Sequence, residues 1–295
     1  MSDVSSKRFG GDWSDQKLKA LLSYLTSYGK ALSNAPFERI YIDAFAGAGI
    51  REVEQVAKDE LFEGVLPEED VGYRHGSPLI ALGMTPSFHR YIFIDRDAGS
   101  LARLKSQVTE HFPEKIFQTD FRQGDANDLL QAITKGSWIT RRAVAFLDPF
   151  ALHVKWETIE MIARTKSIDM WLLFPAMAIN RMLPRSGVVP EKWALKLTET
   201  FGSTEWENFF YEKQQADMFG EEIIAKQPKI FEKLSEYITV RLNTVFEGAN
   251  KKPLILRNSA GAPLFLLCFA SGNPRGAPIA LRIANHIINK NNYGI

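Results

Sequence analysis

Two hydrophobic periodicities alternate along this chain. Short apolar runs at 40–42, 91–94, 143–147 and 170–174 read as strands buried on both faces of a parallel sheet. A further strand is predicted from Ile116 toward Gly124. Between the runs, apolar residues recur every three to four positions. Within 14–32, Leu18, Leu21, Leu22, Leu25 and Tyr28 share a face, with Ser14 as N-cap. Helices are also predicted over 100–112 and 126–135, and one opens near Gly76, where Ser77 caps and Pro78 suits the first helical position. Strands alternating with helices imply parallel βαβ units with right-handed crossovers, an α/β fold. An acidic, weakly periodic insert at 51–75 reads as a loop.

Residues 176–250 change character. Trp193, Leu197 and Phe201, then Trp206, Phe209 and Phe210, then Phe231, Leu234, Tyr237, Ile238, Leu242 and Phe246 fall at helical spacing. They predict an inserted helical lobe whose aromatics form its own core rather than a platform for stacking bases. Segments 253–257 and 264–270 then form a terminal β-hairpin, and a last helix over 278–290 places Ile279, Ile283, Ile287 and Ile288 on its apolar side. The core is thus 1–175 with 251–295, and the lobe is 176–250.

Acids recur where strands end. Asp43 closes the first run and passes into Phe45-Ala46-Gly47-Ala48-Gly49; Asp95 closes the second; Asp125 follows Gly124; Asp148-Pro149-Phe150 follows the 143–147 run. Each acid alone is also explained as the cap of a following helix. Open α/β sheets bind ligands beyond the carboxyl ends of their strands, so the four together predict one cleft.

Composition narrows the setting. The chain of 295 residues is 45% hydrophobic and 24% charged, as in ordinary globular proteins. No apolar run approaches the roughly 20 residues that span a bilayer, and the first residues lack the apolar core of a signal peptide, so a cytoplasmic, membrane-free protein is expected. The single Cys268 lies in an apolar run and reads as a buried thiol, and no metal-ligand cluster is visible. A net charge of +1 argues against wholesale coating of nucleic acid. Clusters such as Arg141-Arg142 and Lys155 with Arg164 and Lys166 carry no argument alone.

Five parallel strands with a terminal hairpin follow the Rossmann-like class I methyltransferase plan. A nicotinamide-binding Rossmann domain shares its first half, but the turn at 45–49 is not Gly-x-Gly-x-x-Gly, and Asp148-Pro149-Phe150 has no evident task in hydride transfer. For S-adenosylmethionine the expected roles are distinct. Backbone at Phe45, Gly47 and Gly49 receives the methionine part, Asp43 attracts its ammonium, and Asp95 accepts from the ribose hydroxyls. Asp125 and Ala126 meet the adenine, flanked by Ile94 and Arg96. Asp148 and the Pro149 carbonyl hold an acceptor amine while Phe150 stacks on its ring.

The segments Tyr-Ile-Asp-Ala-Phe-Ala-Gly-Ala-Gly (41–49), Gly-Ser-Pro-Leu-Ile-Ala-Leu (76–82), Phe-Ile-Asp (93–95), Phe-Leu-Asp-Pro-Phe (146–150) with Trp156, and Phe-Ala-Ser-Gly-Asn-Pro-Arg-Gly-Ala (269–277) resemble the three-Cys-motif partner protein (TcmP) family. The resemblance covers nearly the whole chain and implies a methyltransferase-like fold and a separate partner protein bearing three cysteines. Segments 43–49, 76–82 and 148–150 are also similar to ribosomal-RNA adenine-N6 methyltransferases of the Asp-Pro-Pro-Tyr type, with one proline missing here. That similarity implies a nucleic-acid amine as acceptor. The expectation is therefore an S-adenosylmethionine-dependent N-methyltransferase of nucleic acid. A catalytically silent partner with the same fold is the alternative, and a nicotinamide-dependent oxidoreductase is third.

Overall fold

The structure, a computed structural model, describes residues 12–49, 76–213 and 224–293. The insert at 51–75 lies outside them. Helix α1 (Asp12–Ala31) leads into β1 (Glu38–Asp43), followed by α2 (Ser77–Gly83), β2 (Arg90–Asp95), α3 (Ala98–His111), β3 (Thr119–Gln123), α4 (Ala126–Thr134), β4 (Arg141–Leu147), α5 (Trp156–Arg164) and β5 (Ile168–Phe174). The remainder comprises α6 (Ala176–Met182), α7 (Glu191–Phe201), α8 (Trp206–Phe210), β6 (Tyr211–Lys213), β7 (Ile224–Lys226), α9 (Ile230–Val245), β8 (Gly248–Ala249), β9 (Leu254–Arg257), β10 (Pro263–Ser271) and α10 (Ala277–Tyr293).

The main sheet runs β3-β2-β1-β4-β5-β10-β8, with β9 also paired to β10. Strands β1 to β5 are parallel, and β10 returns antiparallel beside β5. Because β1 lies between β2 and β4, the sheet reverses its winding there and opens a crevice at the carboxyl ends of those strands. Side chains alternate across the sheet. Tyr41, Phe93, Val144, Phe146 and Trp171 pack under α1, α2, α3 and α10, while Ile42, Ala145, Leu172 and Cys268 pack under α4, α5 and the helices after β5. Burial raises the proton affinity of the Cys268 thiol, leaving it inert.

The expected strands and most helices form, with informative differences. Helix α1 starts at Asp12 rather than at a Ser14 cap, because Trp13 already packs its ring on Phe265, 4.9 Å between centroids. Its buried face is also rotated: Leu22 is exposed, whereas Lys17 and Tyr24 are buried. Tyr24 donates to Asp169 (2.6 Å), which also accepts from Ser271 (2.6 Å). Burial pushes the Asp169 carboxyl up to about 6 against these bonds. Residues Pro113–Gln118 form a tight 3-10 turn, so β3 begins at Thr119 and not near Ile116. In α10 the buried stripe is Ala280, Ala284, Ile287 and Ile288, while Ile279 is half exposed.

The segment after β5 is helical as expected, but it also holds an antiparallel ribbon of β6 and β7, and β8 joins the main sheet. Lys226 of the ribbon donates to the carbonyls of Asn180 (2.8 Å) and Leu183 (2.5 Å), satisfying acceptors at the end of α6. Phe201, Trp206, Phe210 and Tyr237 are buried in a core continuous with the sheet face, so these rings offer no open stacking surface. The β9–β10 hairpin turns at Asn258, whose side chain accepts from Ala260 (3.1 Å) and Ala262 (2.8 Å).

Candidate active site at the carboxyl ends of the strands

Pairing register brings the expected segments to one end of the sheet. Asp43 is opposite Phe93 on one side and Phe146 on the other, so the turns after β1, β2 and β4 emerge side by side. The turn after β1 is tied down at two points. Ala46 donates to the carbonyl of Ile94 (2.9 Å) and Gly47 to the carboxylate of Asp95 (2.8 Å). Gly47 and Gly49 both take left-handed φ, at 59° and 76°, which favours glycine. A Cβ on Gly47 would meet nothing within 4 Å, so open space adjoins this backbone.

Asp95 is half-buried, and its other oxygen accepts from the amide of Asp97 (2.8 Å). Each oxygen retains acceptor capacity for a bound hydroxyl. Arg96, exposed, donates to Asp125 (2.6 Å) across the neighbouring turn. Asp125 also caps α4 through the amide of Asn127 (2.9 Å). Partial burial pushes the Asp125 carboxyl up, but the bonds from Arg96 and Asn127 prevail and hold it below its ordinary value. Ala126 is buried as the first residue of α4, and Ile94 is buried in the sheet, so of the two residues expected to flank a ring only Arg96 is available.

Asp43 is fully buried. It accepts from the Tyr41 hydroxyl (3.0 Å), the Phe45 amide (3.4 Å) and Ser77. Ser77 therefore does not cap α2; its hydroxyl serves Asp43, and Gly76 stands at the cap position. Burial raises the Asp43 carboxyl to about 7, and nearby Asp148 adds to the rise, against the hydrogen bonds. In this position Asp43 braces the start of the glycine turn and lies out of reach of solvent.

The Asp148-Pro149-Phe150 corner holds the residue that sequence reasoning missed. Lys17 of α1, fully buried, forms an ion pair with Asp148, whose side chain is 17% exposed. The ammonium also lies 5.1 Å from the Trp13 ring centroid. A lone lysine in an amphipathic helix gives no signal in sequence except its place on the otherwise apolar face. Pro149 is buried and Phe150 is exposed, its ring 6.3 Å from that of His153. Buried Ala151 then takes φ 59°, a left-handed turn that costs roughly 1 kcal/mol for a residue with a Cβ. Such local strain persists only where surrounding contacts hold it.

Asn127 supplies those contacts. It is buried, donates to the His153 carbonyl (2.9 Å), and accepts from the Lys155 amide (2.9 Å) and the Thr158 hydroxyl (3.0 Å). Asn127→Ala strands these groups and is expected to cost about 2 kcal/mol. Urea denaturation measures this, with faster hydrogen exchange at Lys155; a loss under about 0.5 kcal/mol would deny Asn127 this role.

The strand order with an antiparallel β10 defines the class I methyltransferase fold. No protein-family model and no curated protein matches the chain. Among solved structures, protein LPL1258 from Legionella pneumophila aligns over 96% of this chain and 94% of its own, at 14% identity and TM-score 0.45. Trm1 from Pyrococcus horikoshii, solved with S-adenosyl-L-methionine, aligns over 95% of this chain and 61% of its own, at 10% identity and TM-score 0.48. The methyltransferase domain of bacterial CtHen1 aligns over 86% and 99%, at 11% identity and TM-score 0.38. At such identities and scores these likenesses carry no weight for cofactor or substrate. The segment 269–277, prominent in sequence, lies at the opposite end of the sheet, where Ser271 pairs with Asp169 at the start of β5.

Proposed function

We propose that this protein is an S-adenosylmethionine-dependent methyltransferase acting on an exocyclic amine of nucleic acid. The reading is carried by one observation: an open glycine turn, Asp95 and the Asp148-Pro149-Phe150 corner meet on the adjacent strand ends of β2, β1 and β4. Open space beside Gly47 suits the methionine part of the cofactor, and Asp95 suits its ribose hydroxyls. Arg96 with Asp125 borders the adenine position. Bound there, the cofactor supplies a methyl group on a cationic sulfur that departs as a neutral thioether.

The chain's own residues then orient the acceptor. Asp148 accepts a hydrogen bond from the amine, the Pro149 carbonyl accepts a second, and the exposed Phe150 ring covers the base. Lys17 fixes the direction of the Asp148 side chain. Asp95→Ala is expected to weaken cofactor binding at least about tenfold, since two charge-assisted bonds are lost; equal affinity by calorimetry would remove Asp95 from the site. Incubation with labelled cofactor and RNA, DNA or protein extract tests the acceptor, and label confined to protein would reject a nucleic acid.

A second reading has an observation in its favour. The Lys17 ammonium already engages Asp148, as in a structural corner, which suits a catalytically silent member that assembles with a three-cysteine partner. Failure to bind cofactor would favour that reading. Label transfer that rises on adding such a partner would favour an enzyme working within a complex.

A further inference from the structure

We propose that the amino ends of β4 and β5 form a pocket for a phosphorylated ligand carrying a flat ring. An open cavity of about 470 Å³ lies there, within the range of small-molecule sites. Strand β4 has 7 residues, which places this cavity roughly 20 Å from the carboxyl-end crevice. Three cations line it, Lys135, Arg142 and Arg164, and no acid is among the lining residues. Glu160 reaches Arg164 at 3.3 Å, an exposed pair that leaves the local charge positive.

Two buried donors in this lining have no acceptor. Trp138, 8% exposed, leaves its indole Nε1–H without a partner, and Arg142 leaves Nε–H without one. Both of these atoms are closed to solvent, so recognition within the cavity falls to its three cations. Arg142 is held ready for an anion. Its guanidinium stacks on Phe37 at 3.9 Å, and Nη1 donates to the Arg141 carbonyl (2.6 Å), the Trp138 carbonyl (3.3 Å) and the Ser167 hydroxyl (3.2 Å). The hydroxyls of Thr134, Thr165 and Ser167 already donate to the carbonyls of Gln131, Ile162 and Trp138, so the cations supply the anion's donors. The apolar part of the wall is Trp138, Met161 and Ile139, the last 82% exposed, which gives a ring a surface to cover. Phosphate with an attached aromatic ring satisfies both halves, whether from a free nucleotide or from one residue of a nucleic-acid strand.

Calorimetry on the full chain tests this with inorganic phosphate, adenosine monophosphate, adenosine and a short single-stranded oligonucleotide. The comparison protein is Lys135→Glu with Arg164→Glu, both exposed and outside the core. Lys135→Gln alone serves if the pair impairs folding. The monophosphate is expected to bind the unaltered protein at least about tenfold more tightly than the variant. Binding by the oligonucleotide alone, weakened in the variant, also supports the pocket and identifies a nucleic-acid strand as the source. Adenosine binding as tightly as its monophosphate, equal affinities in both proteins, or no binding at all would overturn the proposal. Each titration includes saturating S-adenosylhomocysteine, so that adenosine and its monophosphate are not read at the cofactor site proposed at the other end of the sheet.

Discussion

Asp148→Asn is expected to lower the unfolding free energy by about 3 kcal/mol, because it takes the carboxylate from an ammonium that has no access to water. The partners are not equivalent. Lys17 is wholly enclosed while Asp148 keeps a hydrated edge, so losing the acid costs more than losing the base. Lys17→Met, which keeps the stem and removes the charge, should cost less than half as much. The double variant should recover most of the stability lost in Asp148→Asn. Under the proposed function activity follows a different order: both single variants and the double variant are expected to lose about 100-fold in methyl transfer, since acceptor orientation fails in each. Denaturant titration alongside label transfer separates the two roles. A double variant as active as the unaltered protein would place the chemistry elsewhere.

A second large effect concerns pH. Asp43 in the folded protein binds its proton up to about 7, against 3.8 when unfolded. Above 3.8 the unfolded chain has released this proton while the folded chain retains it, so stability falls as pH rises and levels off above about 7. Asp43→Asn lacks this dependence. Each tenfold difference in proton affinity corresponds to about 1.4 kcal/mol, so from pH 5 to pH 8 the variant should gain about 3 kcal/mol on the parent. Asp169, raised to about 6, acts in the same direction but is common to both proteins and cancels. Urea titrations at the two pH values give the comparison; a gap that stays constant would mean Asp43 is ionised throughout. The same logic predicts that a cation seated near this carboxyl draws off its proton.

Much of the fold was legible because parallel strands buried on both faces leave unbroken apolar runs, as at 91–94 and 143–147. The acids at their ends stood out for the same reason, being the first polar residues after each run. What could not be read depends on contacts between distant segments. Lys17 meets Asp148 across 131 positions, and a lysine among the apolar positions of a helix does not name the distant acid it pairs with. The rotation of α1 that exposes Leu22 follows from Lys17 and Tyr24 both finding acids on the sheet. Ser77 resembled a cap because capping is the local option, whereas Asp43 offers a buried carboxyl to satisfy. The ribbon of β6 and β7 is 3 residues per strand, too short for alternation to register.

Helix α1 is bolted to the sheet twice, by Lys17 near its beginning and by Tyr24 two turns later, at opposite ends of the adjacent strands β4 and β5. A rod fixed at two such points cannot slide along its own axis while both fastenings hold. Any rearrangement that frees Asp148 by shifting this helix therefore also unseats Tyr24 from Asp169. The helix thus works as a lever, transmitting a disturbance at one rim of the molecule to the other.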